Sequence, residues 1–186
     1  MVTSGLNNML ISKNFKEIFT AEFISVTGGL IAGSLLVFQV DKLLLLPGLF
    51  ILIPGFLEMR GSITGSLAAR LSEKLHIGLE KSEKHKLIIE NVMAAFTLAL
   101  VVAAALGTFA YIASYFIFGV SLISLIYIPL LGSIISNLIS IPITIFATFW
   151  FFKHKIDPDN VMGPISTTTA DIIGVASLLL AIIIVI

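Results

Sequence analysis

Asp171 is the one charged residue between Met162 and Ile186, and the other polar groups of that stretch are the hydroxyls of Ser166, Thr167, Thr168, Thr169 and Ser177. Fifteen uncharged residues follow it, Ile172 to Ile186. The stretch is long enough to cross a bilayer, where a carboxylate costs about 2.5–3.5 kcal/mol on insertion scales. That cost marks Asp171 as a functional candidate facing a cavity or an ion path. Thr167 and Thr168 precede it by four and three residues, which helical spacing puts on the carboxylate's face. Hydroxyl, carbonyl and carboxylate oxygens in one stripe suit a hard cation that keeps part of its water shell. The bland alternative is a carboxylate that is protonated, or paired with another helix for packing alone.

A second set of polar residues sits in IPGFLEMRGSITGSLAARLS. Glu58 and Arg60 are charges inside or near a hydrophobic segment, two residues apart, so a regular helix points them in different directions. The alternative to a functional role is a charge pair snorkelling at the membrane rim. Pro54-Gly55 can break or kink a helix, and a break in lipid is tolerated only where freed backbone groups are buried or line a wet cavity. Gly61 and Gly65, four apart, permit close helix approach.

Weaker candidates remain. Asn137 is a polar group in an apolar run, suited to an interhelical hydrogen bond or to a pore wall. Glu22 reads as an interfacial carboxylate and Glu90 as solvated or paired with Lys86. His76, His85 and His154 lack metal-ligand spacing and read as surface. GGLIAGS (28–34) lacks the lysine of a phosphate loop, so Gly29 and Gly33 read as packing glycines. No nucleophile–base pair or zinc motif is present, so an enzyme is not expected and no resident cofactor is implied.

The elements that carry these residues follow from composition. The chain has 186 residues, 58% hydrophobic and 12% charged, with a mean hydropathy of +1.09. Soluble domains run at about 45–50% apolar and about 25% charged, so these values point to an all-α, polytopic membrane protein with a single membrane domain over 1–186. Zero net charge and no basic stripe give nothing for nucleic acid to bind. With no cysteine, disulfides and thiolate chemistry are excluded.

Five hydrophobic spans are expected at about 18–40, 43–71, 87–118, 122–152 and 162–186, each meeting the roughly 20 residues a spanning helix needs. Residues 1–14 read as an interfacial helix or a frayed terminus, not as a signal peptide. The mixed-charge connector Ser72–Lys86 reads as a solvated helical extension. Pro164 fits the first turn of the last helix, with Asp171 roughly 13 Å beyond Met162, nearer the cytoplasmic half. Lys13, Lys16, Arg70, Lys74, Lys81, Lys84, Lys86, Lys153 and Lys155 all fall on one side of such a bundle and Lys42 on the other. The positive-inside rule then puts the N-terminus in the cytoplasm and the C-terminus outside, a multi-pass protein of the cell membrane.

DPDNVMGPISTTTADIIG (157–174) resembles the MgtE magnesium-channel signature of a loop DP, then GP, a Thr-rich turn, and the pore Asp followed closely by Gly. RGSITGSLAARLSEKLHIG (60–78) resembles the second-helix motif of the same superfamily, closest to its solute-carrier magnesium transporters. The resemblance implies an ion path at a dimer interface lined by the second and fifth spans. It assigns the pore carboxylate to Asp171, neighbouring oxygens to Thr167 and Thr168, and the lining to Gly61, Ser62, Gly65 and Gly174. Ser62 stands where the family has Asn, and Glu58 and Asn137 match no known ligand and stay secondary. The chain resembles that membrane domain standing alone, without the CBS domains.

The expected function is therefore transport of a divalent cation, Mg²⁺ first, by a homodimer or a dimer of paralogues in the bilayer. One deep carboxylate per subunit is too little charge for a dication, and a two-fold axis would supply its mate. Protons should compete with the cation for such a pair, so that binding weakens at acid pH. The alternatives are a sodium- or proton-coupled exchanger of another solute and a non-transporting membrane subunit.

Overall fold

Small residues decide where these helices meet. In lipid, apolar side chains gain little by leaving the bilayer, so association rests on close packing, and small residues let backbones approach. On the third long segment Ala95, Ala99, Ala103, Gly107, Ala110 and Ser114 are all buried, a ridge repeating every three or four residues as one helix face does. Val101, Phe109, Ile112 and Phe116 point outward from the same helix. A Cβ at Gly107 would stand 2.9 Å from Ile126 Cα and from Leu125 O, so this crossing admits no side chain.

The computed structural model describes the backbone of residues 2–38, 40–44, 46–78 and 81–186, and their side chains except those of 2–12, 42 and 81–84. Among the described residues all regular structure is helical: α1 (Val2–Val37), α2 (Val40–Leu44), α3 (Gly48–Ile77), α4 (Lys81–Phe118), α5 (Ser124–Lys153) and α6 (Pro158–Val185). Four of these are long and apolar enough to cross a membrane, over Lys13–Val37, His85–Phe118, Ser124–Lys153 and Pro158–Val185. Helix α3 falls short of that apolarity because Glu58 and Arg60 sit at its middle, although its 30 residues give it about 45 Å of length.

Several boundaries differ from expectation. The second segment is split, with α2 ending at Leu44 and α3 starting at Gly48 after Pro47. Helix α3 then runs unbroken through Pro54, so no broken helix forms there. Helix α1 is continuous from Val2 to Val37, with no turn between the N-terminal segment and the hydrophobic run. The side chains of residues 2–12, most of the segment expected to lie at the interface, are outside the described residues. The connector is helical at both ends, with Gly78 closing α3 at φ 79°, the left-handed conformation that ends many helices. Gly119, at φ 68°, does the same after α4, its N–H reaching Tyr115 O at 3.0 Å.

Helix α6 is the hub, packed against α1, α3 and α5, while α4 covers α3 and α5. Helix α1 touches the bundle through α6, by the buried small residues Ala21, Gly28 and Ala32. Gly29 and Gly33 have open space where a side chain would go, so the packing glycine of that segment is Gly28, one position before the expected pair. The N-terminal part of α1, the C-terminal ends of α3 and α5 and the start of α6 meet at one end of the bundle. There Lys13, Glu17, His76, Lys155 and Asp157 share a cavity of about 350 Å³.

Candidate cation site

Helix α6 starts earlier than the proline pattern indicated. Asp157 is its N-cap, accepting a hydrogen bond from Asp159 N–H at 3.1 Å, and Pro158 occupies the first turn. An Asp cap followed by Pro is a strong helix start. Pro164 is consequently inside the helix, where it removes one i→i−4 bond. The earlier start also shifts Asp171 to the midpoint of the 28-residue helix, about 20 Å from Pro158 by helical rise.

At that level α3 and α6 lie side by side. Asp171 and Thr167 of α6 line an open cavity of about 470 Å³ with Glu58, Gly61 and Ser62 of α3; Pro54 and Leu57 complete its wall. A Cβ on Gly61 would stand 3.7 Å from the Thr167 hydroxyl oxygen and methyl, so Gly61 sets the approach of the two helices. The Thr167 hydroxyl donates to Gly163 O at 3.0 Å. Its lone pairs are therefore left to face the cavity. Glu58 and Ser62 are exposed on this side and Asp171 is half-buried.

Other candidate residues are placed elsewhere. Thr168 is buried, its hydroxyl donating to Pro164 O at 2.9 Å. Its methyl lies 2.0 Å from where a Gly28 Cβ would be, so it packs on α1 and does not line the cavity. Gly174 is a contact point too: a Cβ there would stand 3.1 Å from Leu57 and 3.7 Å from Arg60 Cγ. Gly65 has no neighbour within 4 Å of a Cβ position and is not on the cavity wall.

Arg60 and Asn137 form a pair the sequence did not reveal. Arg60 is 0% exposed and Asn137 is 1% exposed. Arg60 Nη1 donates to Asn137 Oδ1, bridging α3 to α5. Arg60 does not snorkel to a rim, and Glu58 is not its partner. Arg60 Nε and Nη2 and Asn137 Nδ2 are buried without a hydrogen-bond partner. Asn137 thus takes the interhelical role and stands away from the cavity.

A second polar cluster closes the end of the bundle where α3 finishes and α6 begins. His76 Nε2 lies 3.7 Å from Asp157 Oδ1, and His76, Asp157 and Asp159 bring ligand-type atoms within 4.8 Å of one another. Asn160 Nδ2 donates to Glu17 Oε2 at 3.0 Å, and Lys13 Nζ donates to Lys155 O at 3.1 Å. Sequence spacing gave no sign of this group, because its members come from three distant segments. Together the bonds fix α1 and the base of α6, and so the height of Asp171.

Comparison with known proteins adds independent weight. A family model described as a divalent cation transporter, MgtE, matches residues 53–181, which includes the whole α3–α6 cavity. Solute carrier family 41 member 2 of Xenopus laevis is 30% identical over 139 residues, covering 69% of this chain and 24% of that protein. The chain thus spans about a quarter of the length of that relative. No solved structure matches the chain. With α4, α5 and most of α3 and α6 inside the matched region and its helices those of a multi-pass membrane protein, this chain belongs to the MgtE family of divalent cation transporters.

Proposed function

We propose that this protein carries a divalent cation, Mg²⁺ above others, across the membrane along the α3–α6 face. The observation that carries the reading is the shared cavity of Asp171, Glu58, Thr167, Gly61 and Ser62 at the midpoint of α6. Two carboxylates, two hydroxyls and the neighbouring backbone offer hard oxygens only, and Mg²⁺ prefers a few such ligands while keeping several waters. The cavity is open on its outer side, so one copy offers half a coordination sphere. A second copy related by a two-fold axis along the membrane normal would close it and bring two Asp171 carboxylates to one dication.

Helix α3 acts as the fifth span in this reading. It runs antiparallel to α6 over the height of the bundle, and its two mid-helix charges are accommodated by protein, Glu58 at the cavity and Arg60 buried against α5. The end that gathers Lys13, Lys153, Lys155 and His76 is cytoplasmic by the positive-inside rule, and the C-terminus is outside. Thr168 and Gly174 serve helix packing in this scheme; Glu58 takes a place beside Asp171.

Two measurements on the protein in lipid vesicles test it. Mg²⁺ flux should fall at least about tenfold in Asp171→Asn, since neutralising the midpoint carboxylate removes the charge that offsets dehydration of the ion. Ser62→Cys, in a chain without other cysteines, should cross-link to its mate under mild oxidation. Full flux in Asp171→Asn would sink the cation site. Efficient flux from a form that never cross-links and sediments as a monomer would sink the dimeric path. Flux that requires a sodium or proton gradient would favour an exchanger.

A further inference from the structure

The bundle has a second groove, on the other side of α3 from the cation cavity. It holds about 220 Å³ between α3 and α4. Arg70, Asn91 and Ser66 give it polar walls, Ile63 and Leu98 give it apolar ones, and Ala94 and Ala95 leave it room. At 100° per residue, the α3 positions 63, 66 and 70 centre about 120° around the helix from 58, 61 and 62. The groove therefore faces away from the cavity and toward the surrounding lipid.

Its polarity is ordered along the membrane normal. Helix α3 runs toward the end of the bundle that carries His76 and Asp157, so Arg70 lies nearest that end and Ile63 about 10 Å deeper. Helix α4 runs the other way, so Asn91 is level with Arg70 and Leu98 is deeper by a similar amount. The result is a slot with a cationic mouth and an apolar tail. Among the described residues no carboxylate is within ion-pair distance of Arg70. Its one side-chain hydrogen bond among the described residues runs from Nη1 to Asn91 Oδ1 at 3.4 Å, a long bond. Asn91 itself is held by Nδ2 donating to Leu87 O at 2.9 Å, so it is fixed and Arg70 retains free donors.

We propose that this groove binds one anionic phospholipid, its phosphate on Arg70 and the start of an acyl chain against Ile63 and Leu98. Charge decides the class of lipid. Arg70 is the one formal charge on the groove wall, and a guanidinium matches a phosphate through paired N–H donors. The wall offers no carboxylate to the ammonium of a zwitterionic headgroup. Basic pockets between spanning helices at the cytoplasmic leaflet are the sites where anionic headgroups bind. The inference does not depend on the cation path, and its failure would leave that path untouched.

The test uses the full chain extracted from vesicles of equal parts phosphatidylglycerol and phosphatidylcholine, with retained lipid counted by native mass spectrometry. Wild type should retain phosphatidylglycerol over phosphatidylcholine by about fivefold, the preference one basic side chain gives near a lipid surface. Arg70→Gln should abolish that preference and Arg70→Lys should keep most of it. Ala94→Leu, at an exposed position that fills the groove, should lower phosphatidylglycerol retention with the arginine in place. Lys86→Gln, on the rim outside the groove, should leave it unchanged. Gel filtration of each variant checks folding. Equal retention of the two lipids by wild type overturns the proposal. So does unaltered preference in both Arg70→Gln and Ala94→Leu, or an equal loss in Lys86→Gln. Displacement of the lipid by millimolar inorganic phosphate would make the site a free-phosphate site and overturn it too.

Discussion

Arg60 Nη1 donates a hydrogen bond to Asn137 Oδ1 inside the bundle, joining α3 to α5 without a carboxylate on either side. Asn137 is thus the polar group that meets the buried guanidinium. Asn137→Leu should lower stability by about 2–4 kcal/mol, because it strands a buried charge. Asn137→Asp should be well tolerated, since it supplies a counter-charge at the same reach. Thermal unfolding in detergent compares the two, and an Asn137→Leu protein as stable as wild type contradicts the pairing.

The two cavity carboxylates should differ in weight. Asp171 sits at the middle of α6, whereas Glu58 is exposed at the cavity wall. Glu58→Gln should lower flux by a smaller factor than Asp171→Asn and weaken Mg²⁺ binding, with the double variant no worse than Asp171→Asn. Isothermal titration and vesicle flux measure both. A Glu58→Gln defect equal to or larger than that of Asp171→Asn would invert the assignment.

Gly61 offers a steric test that leaves charge alone. Its Cβ position is an ordinary 3.7 Å from Thr167, so Gly61→Ala should conduct. Gly61→Leu should block flux by filling the cavity while the protein still elutes as wild type. Equal flux in the two variants would place the path elsewhere.

The α1–α6 contact predicts a compensating pair. Gly28→Ala puts a methyl 2.0 Å from Thr168 Cγ2 and should cost about 1–3 kcal/mol through overpacking. Removing the threonine methyl in Gly28→Ala/Thr168→Ala should restore most of that stability, and flux should survive. Loss of flux in Thr168→Ala alone, with the fold intact, would return Thr168 to the cation site.

At the base of α6, Asp157 is both cap and partner of His76. Asp157→Ala should cost about 1 kcal/mol through the cap. His76→Ala should cost much less, because a polar contact this exposed contributes little. A chemical-denaturation series on both variants reads the difference, and equal costs would assign the stabilisation to the pair.

How much of this could be read in advance depends on distance along the chain. Asp171 and Thr167 are one helical turn apart, so their common face follows from spacing. Thr168 illustrates the limit: on a helix Thr167 and Thr168 lie about 40° and 60° to opposite sides of Asp171. Spacing alone places both nearby, and only the position of α1 shows which one is covered. Glu58 was visible as a costly charge, but its nearness to Asp171 needed the α3–α6 register. Arg60 with Asn137, and His76 with Asp157, join residues far apart in sequence and left no local trace. The start of α6 is written in Asp157-Pro158, but Pro164 offers a second, equally regular place for a helix to begin, and spacing alone does not choose between them.

Helix α1 is held by α6 and by little else, which sets the order in which the protein can assemble. Helix α1 is separated from its partner α6 by all of α2–α5, and local contacts form before distant ones. It must wait in the bilayer with Ala21, Gly28 and Ala32 uncovered until α6 arrives. The α3–α5 helices have near neighbours in sequence and need no such delay. The arrival of α6, which brings Asp171 into place, is then also the step that docks α1.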